Sequence, residues 1–254
     1  MTIEDTIAKM RWWDRLAHPG QFLLWTRSLV WPLAGLTAIL FAAGLWFAFF
    51  NSPADYQMGD TVRIMYVHVP TAWLSQFVYA TMAVSALGTL VWRHPMADVS
   101  MKAAAPLGAA FTAMALFTGS LWGRPTWGTF WEWDGRMTST LVLLFIYLGI
   151  IALWRAFDDQ LRAARVVAII TLVGAVNIPI IKFSVDWWST LHQPASVFRA
   201  DGPTMPGSIL TPLFVMFFAF TLLFVTLQLI AMRTEIRRRR VMSLERRAAR
   251  GETA

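Results

Sequence analysis

The 254-residue sequence has no cysteine. That excludes a disulfide framework, a thiolate metal site and a redox-active CxxC pair. Charge is also scarce: Asp, Glu, Lys and Arg make up 15% of the chain, against ~25% in ordinary soluble domains. With 57% hydrophobic residues, that balance excludes a soluble globular domain. No G-x-x-x-x-G-K-[ST] phosphate loop occurs, so the chain has no visible ATP site of its own. There is also no internal repeat, which excludes a solenoid or array.

What remains is apolar and aromatic. Six stretches read as membrane spans: Leu29–Phe50, Thr71–Trp92, Ala103–Leu121, Ser139–Trp154, Val166–Ile181 and Ile209–Met232. About 20 apolar residues cross the ~30 Å of bilayer hydrocarbon. The fourth and fifth stretches are short and are expected to borrow flanking residues. None of the six contains Asp, Glu, Lys, Arg or His, which argues against an ion or proton pathway. Pro106, and Asn177 with Pro179, interrupt spans three and five; a packing kink is the default reading, a cavity-lining break the alternative.

Lys and Arg number 17 in the two tails and the loops after spans two and four, against 5 in the other three loops. The positive-inside rule then places both termini in the cytoplasm. The expected architecture is an all-α integral membrane protein of six transmembrane helices in one domain, residues 1–254. It comprises a cytoplasmic N-terminal tail (1–28), a core (29–232) and a basic cytoplasmic tail (233–254). Residues 2–16 carry apolar positions near helical spacing among basic ones and read as an amphipathic helix on the leaflet. Arg237 to Arg240 with Arg246, Arg247 and Arg250 read as a topology anchor touching lipid head groups rather than as a nucleic-acid site.

Chemistry concentrates on the outer side. Of four histidines, His18 and His94 fall in cytoplasmic segments and carry no functional reading, whereas His68 and His192 fall in outer loops. Each of the outer pair lies within two residues of a proline, in Tyr66-Val67-His68-Val69-Pro70 and in Trp187-Trp188-Ser189-Thr190-Leu191-His192-Gln193-Pro194. Two imidazoles on one face are the smallest set that clamps a metal between axial positions. Between them lies a loop, residues 122–138, with Trp122, Trp127, Trp131 and Trp133 in 12 residues and Gly after each of the first two. An aromatic belt needs no such glycines; a backbone that approaches a flat ligand does. Haem suits the set: axial His for iron, Trp faces for the porphyrin, and Arg for the propionates. The outer arginines are Arg63, Arg124, Arg136 and Arg199. Asp134 is expected to be structural, pairing with Arg136 or accepting loop N–H groups.

These segments, with the cytoplasmic Trp154-Arg155-Ala156-Phe157-Asp158-Asp159, closely resemble the haem exporter protein C family (CcmC) of cytochrome c maturation. The similarity runs from about the first span to the sixth; Phe130 and Met137 stand where some relatives are expected to carry Trp and Leu. The resemblance implies a bacterial inner-membrane protein that is not an enzyme. It implies His68 and His192 as axial ligands of one transiently bound, non-covalent haem b, and Trp122, Trp127, Trp131 and Trp133 as its periplasmic platform. The implied partners are a periplasmic haem chaperone, an ATP-binding subunit, a second membrane subunit and a small single-span protein. Three other readings compete: the membrane half of an ATP-driven haem exporter, a b-type electron-transfer protein and a ligand-free tryptophan-rich scaffold. The second usually places its histidines inside the spans, and the third makes both outer His motifs coincidental.

Overall fold

A computed structural model describes residues 17–188, 190–192, 197 and 201–251. The expected amphipathic helix over 2–16, and Arg199, lie outside them. The described chain is helical: α1 Pro19–Trp46, continued by a π-helical turn over Phe47–Asn51; α2 Met65–Leu90; α3 Ala97–Trp127; α4 Gly135–Ala156; α5 Gln160–Gly174; α6 Asn177–Trp187; α7 Gly207–Ala249.

Helix starts follow local chemistry. His18 accepts the Gly20 N–H with its ring to open α1, Asp134 accepts the Met137 N–H (2.8 Å) to open α4, and Asp159 accepts the Leu161 N–H (2.9 Å) to open α5. Side-chain acceptors at these positions satisfy N–H groups that a helix leaves free at its first turn. His94 caps the turn before α3 in the same way, accepting the Met96 N–H.

Among the described residues five helical segments are long and apolar enough to cross a membrane: Pro19–Asn51, Ala97–Trp127, Gly135–Ala156, Gln160–Trp187 and Gly207–Ala249. The two short spans of the sequence do borrow flanking residues, reaching 22 residues in α4 and 28 across α5 and α6. The sixth stretch, α2, has the length, 26 residues, but is not among the five. Its Thr71, Ser75, Gln76, Thr81 and Ser85 dilute the apolar content. These residues are tolerable because α2 is the helix around which α3, α5 and α7 pack. Leu74, Val78, Tyr79, Met82 and Ala86 on it are fully buried. Two buried hydroxyls bind backbone across this core, Tyr79 donating to the Thr171 carbonyl (3.0 Å) and Tyr147 to that of Ser75 (2.8 Å). Where water is excluded, such pairing avoids the cost of an unsatisfied polar group.

The two interruptions behave differently. Pro106 sits inside an unbroken α3, whereas the chain leaves helix between Gly174 and Asn177, splitting the fifth stretch into α5 and α6. Asn177 donates its side-chain N–H to the Ser139 carbonyl of α4 (2.8 Å), which fixes the start of α6.

At the other end of α2, Lys102, Asp98 and α7 form an ionic knot. Arg239 reaches Asp98 (2.7 Å) and Glu235 (2.8 Å), while Lys102 reaches Glu235 (3.2 Å) and lies over the Trp154 ring. The segment 233–249, expected as part of a tail, is thus a helical continuation of α7 whose first turns belong to the fold.

Candidate functional site

A cavity of about 480 Å3 opens where α2 begins, α3 ends and α6 reaches its C-terminus. Its volume falls within the ~300–1,000 Å3 of small-molecule sites. His68 and His192 both line it, as do Trp122, Trp127, Arg136, Lys182 and Asp186. Residues 124 positions apart in sequence are therefore brought to one space.

His68 lies in the first turn of α2. Its Nδ1 is 3.0 Å from the Ala115 carbonyl and 3.3 Å from Thr118 Oγ1 on α3. A carbonyl only accepts, so Nδ1 carries the proton and Nε2 keeps its lone pair. The ring can sit this close to α3 because residue 119 is glycine: a Cβ there would stand 2.8 Å from His68 Cε1. Trp122 meets the imidazole edge to face, with ring centroids 5.7 Å apart.

His192 is held by a different device. Its Nδ1 lies 2.6 Å from Asp134 Oδ2, and Thr190 also hydrogen-bonds that carboxylate oxygen. Trp127 packs edge to face on the imidazole at 4.7 Å. Burial pushes the His192 imidazole below its ordinary range although Asp134 favours the cation. Burial alone would raise the Asp134 carboxyl, but hydrogen bonds from Thr190, the Met137 N–H and His192 outweigh it and hold the group low. The pair is an anionic carboxylate orienting a neutral imidazole. Among the described residues neither Nε2 makes a protein hydrogen bond.

The tryptophans divide. Trp122 and Trp127 lie on α3, which runs six residues past its expected end at Leu121, and they line the cavity. The first part of the expected loop is therefore helix. It ends at Gly128, whose φ of 81° gives the left-handed stop that glycine adopts without strain. Trp131 and Trp133 follow outside any helix, pair edge to face at 5.4 Å, and do not line the cavity. Trp133 is 72% exposed. The buried indole N–H of Trp122 has no hydrogen-bond partner among the described residues.

Of the three expected arginines among the described residues, Arg136 alone lines the cavity. Arg124 turns back to the Gly128 carbonyl and lies over Phe130, and Arg63 binds Asp60 and the Ala48 carbonyl. Two features escape sequence reasoning. Asp134 has His192 as its hydrogen-bonded partner rather than Arg136, although its acceptance of the Met137 N–H is as expected. Lys182 and Asp186 reach the cavity because α6 is set apart from α5; the Asn177 and Pro179 interruption was the signal for that.

Among the described residues no cluster of three or more His, Asp or Glu could hold a bare metal ion. Two imidazoles, each with Nδ1 engaged and Nε2 free, suit a metal that arrives with equatorial ligands of its own. Ligating histidines characteristically spend their other nitrogen on a carbonyl or carboxylate in this way.

Fold and site together define a helical membrane protein with a two-histidine, tryptophan-walled cavity at one end of its bundle. The family model described as "Heme exporter protein C" matches residues 12–247. A protein named "Heme exporter protein C" from Bradyrhizobium diazoefficiens is 63% identical over 230 residues, covering 91% of this chain and 87% of its own. One of the same name from Escherichia coli K12 is 46% identical over 217 residues, 85% of this chain and 84% of its own. A liverwort relative from Marchantia polymorpha, named a putative cytochrome c biosynthesis ccmC-like mitochondrial protein, is 44% identical over 205 residues, 81% of this chain and 87% of its own. The chain belongs to the haem exporter protein C family.

Proposed function

We propose that this protein binds haem b non-covalently in the described cavity and delivers it to a periplasmic haem chaperone for cytochrome c maturation, catalysing no reaction itself. His68 and His192 are the axial ligands, and Trp122 and Trp127 are the walls beside them. The observation that carries the reading is the convergence of both imidazoles on one cavity, each with Nδ1 tied and Nε2 unengaged. Arg136 and Lys182 supply cations for the propionates. Bound haem would bring its own four equatorial nitrogens, leaving the protein to provide the axial pair.

The finer topology belongs to the same proposal. With α2 counted as a span, six helices cross the bacterial inner membrane, the termini are cytoplasmic, as the 17 to 5 division of Lys and Arg supports, and the cavity faces the periplasm. Trp131, Trp133 and the 55% exposed Phe130 then present an aromatic edge outside the cavity on which a chaperone can dock. An ATP-binding subunit, a second membrane subunit and a small single-span protein complete the assembly.

The test is the visible absorbance of detergent-purified protein, oxidised and reduced, beside His68→Ala and His192→Ala. A low-spin bis-imidazole spectrum in the wild type, lost or turned high-spin in both variants that keep wild-type circular dichroism, is the expected result. An unchanged spectrum in both variants refutes the ligand pair. Haem movement into liposomes that needs this chain and ATP would instead favour a translocating membrane subunit.

A further inference from the structure

Far from the haem cavity, near the start of α1 and late in α7, a groove of about 530 Å3 is lined by Arg27, Arg233 and Arg237 and by Val30, Trp31 and Ile230. The three guanidiniums are close enough for Arg27 and Arg237 to repel Arg233. Among the described residues no ion pair with Asp or Glu is made by any of them. Arg233 is fixed in place, donating to the Leu23 carbonyl (2.7 Å) and to Thr26 Oγ1 (2.6 Å). Neither of these partners is charged, so the cluster keeps three positive charges. Like charges gathered at short range are unfavourable unless an anion sits among them.

The surroundings say which anion. Trp31 is 80% exposed and Ile230 41% exposed, on two helices that are each long and apolar enough to cross a membrane. The groove thus joins a cationic mouth to an apolar wall at the edge of the spans. Basic pockets between transmembrane helices at the membrane surface are suited to anionic lipid head groups, and an interfacial tryptophan suits the adjoining acyl region. A free phosphate would use only the mouth, and an acidic protein segment would leave the apolar wall facing lipid.

We infer that this groove binds one anionic phospholipid, its phosphate among Arg27, Arg233 and Arg237 and an acyl chain along Val30, Trp31 and Ile230. The lipid fills the gap between α1 and α7 and neutralises the cluster. This rests on α1 and α7 as membrane-spanning helices and not on the haem reading.

The test is native mass spectrometry of the full-length, detergent-purified protein titrated with phosphatidylglycerol or with phosphatidylcholine. The wild type is expected to retain one phosphatidylglycerol in preference to phosphatidylcholine. Arg27→Gln with Arg237→Gln should weaken that retention about 25-fold, at about fivefold per arginine. These two side chains make no hydrogen bond to the protein among those described, so the double variant tests the site without the folding risk of changing Arg233. Its circular dichroism and its haem absorbance serve as controls, and both should match the wild type. Equal retention of the two lipids, or unchanged retention in the double variant, overturns the proposal. Release of the lipid by millimolar inorganic phosphate would make the groove a simple anion site. Loss of lipid on adding the other membrane subunits would make it a protein interface. Either result also overturns the inference.

Discussion

Asp134 does two jobs that substitution can separate. It caps α4 through the Met137 N–H and orients His192 through Nδ1. In Asp134→Ala both are lost: about 1 kcal/mol for the cap, and about 1–3 kcal/mol for a buried His192 N–H left without its acceptor. Asp134→Asn keeps a good capping group, because Asn serves at that position as well as Asp. With its oxygen on the Met137 N–H it turns an NH2 group, a donor, toward His192 Nδ1 where Oδ2 had accepted, so the orienting bond is lost at about 1–3 kcal/mol unless the imidazole moves its proton to Nε2 and gives up the lone pair a metal needs. Thermal unfolding in detergent should therefore rank wild type above Asn above Ala. Haem titration should show both variants weakened by roughly 10- to 100-fold, as for other groups that orient a metal-bound histidine. If the two variants lose thermal stability but bind haem with wild-type affinity, Asp134 is a cap alone and the orienting role is wrong.

Three further outcomes follow from the same geometry. Gly119→Ala places a Cβ 2.8 Å from His68 Cε1; the imidazole must shift, costing about 1–3 kcal/mol of stability as overpacking does and weakening haem binding in titration. Arg136→Gln and Lys182→Gln should each reduce haem affinity several-fold while leaving the low-spin spectrum intact; binding equal to wild type in the double variant removes them as propionate partners. Burial would raise the Glu235 carboxyl, but hydrogen bonds from Arg238 and Arg239 and the charge of Lys102 bring it to about 2. A carboxyl held low stabilises the fold above its ordinary value near 4.5 and loses that contribution as pH falls toward 2. Glu235→Gln should thus melt below the wild type at neutral pH, with the gap closing across that acid window; a gap independent of pH refutes it.

Sequence reading reached the helical membrane class because apolar composition and run length are local properties. It reached the histidines because His68 and His192 alone of the four fall in segments expected on the outer side, although His68 proves to lie in the first turn of α2 rather than in a loop. It stopped where contacts between distant segments decide. Trp122 and Trp127 read as loop because Trp, Gly and Pro crowd together, yet α3 continues until Gly128 turns left-handed. The Asp134–His192 bond joins residues 58 apart, and nothing in periodicity selects His192 over Arg136, two positions away, as its partner. Lys182 lies just past the expected end of span five at Ile181, and it lines the cavity from α6, whose start Asn177 ties to α4. The stretch Thr71–Trp92 was read as a span from its apolar content, and what composition does not show is that the polar residues of α2 lie among tertiary contacts with α3, α5 and α7.

That enclosed helix has a consequence for biogenesis. A segment with so many hydroxyl and amide side chains partitions poorly into lipid on its own, and α2 leaves only the strip of Phe77, Ala80, Val84 and Leu87 uncovered. In the six-span topology it therefore depends on partners made after it: α3 follows at once, while α5 and α7 emerge later in translation. A nascent chain cut short before α5 should hold α2 insecurely. The histidine at its head would then reach a fixed position only when the bundle is closed around it, which ties ligand placement to the completion of synthesis.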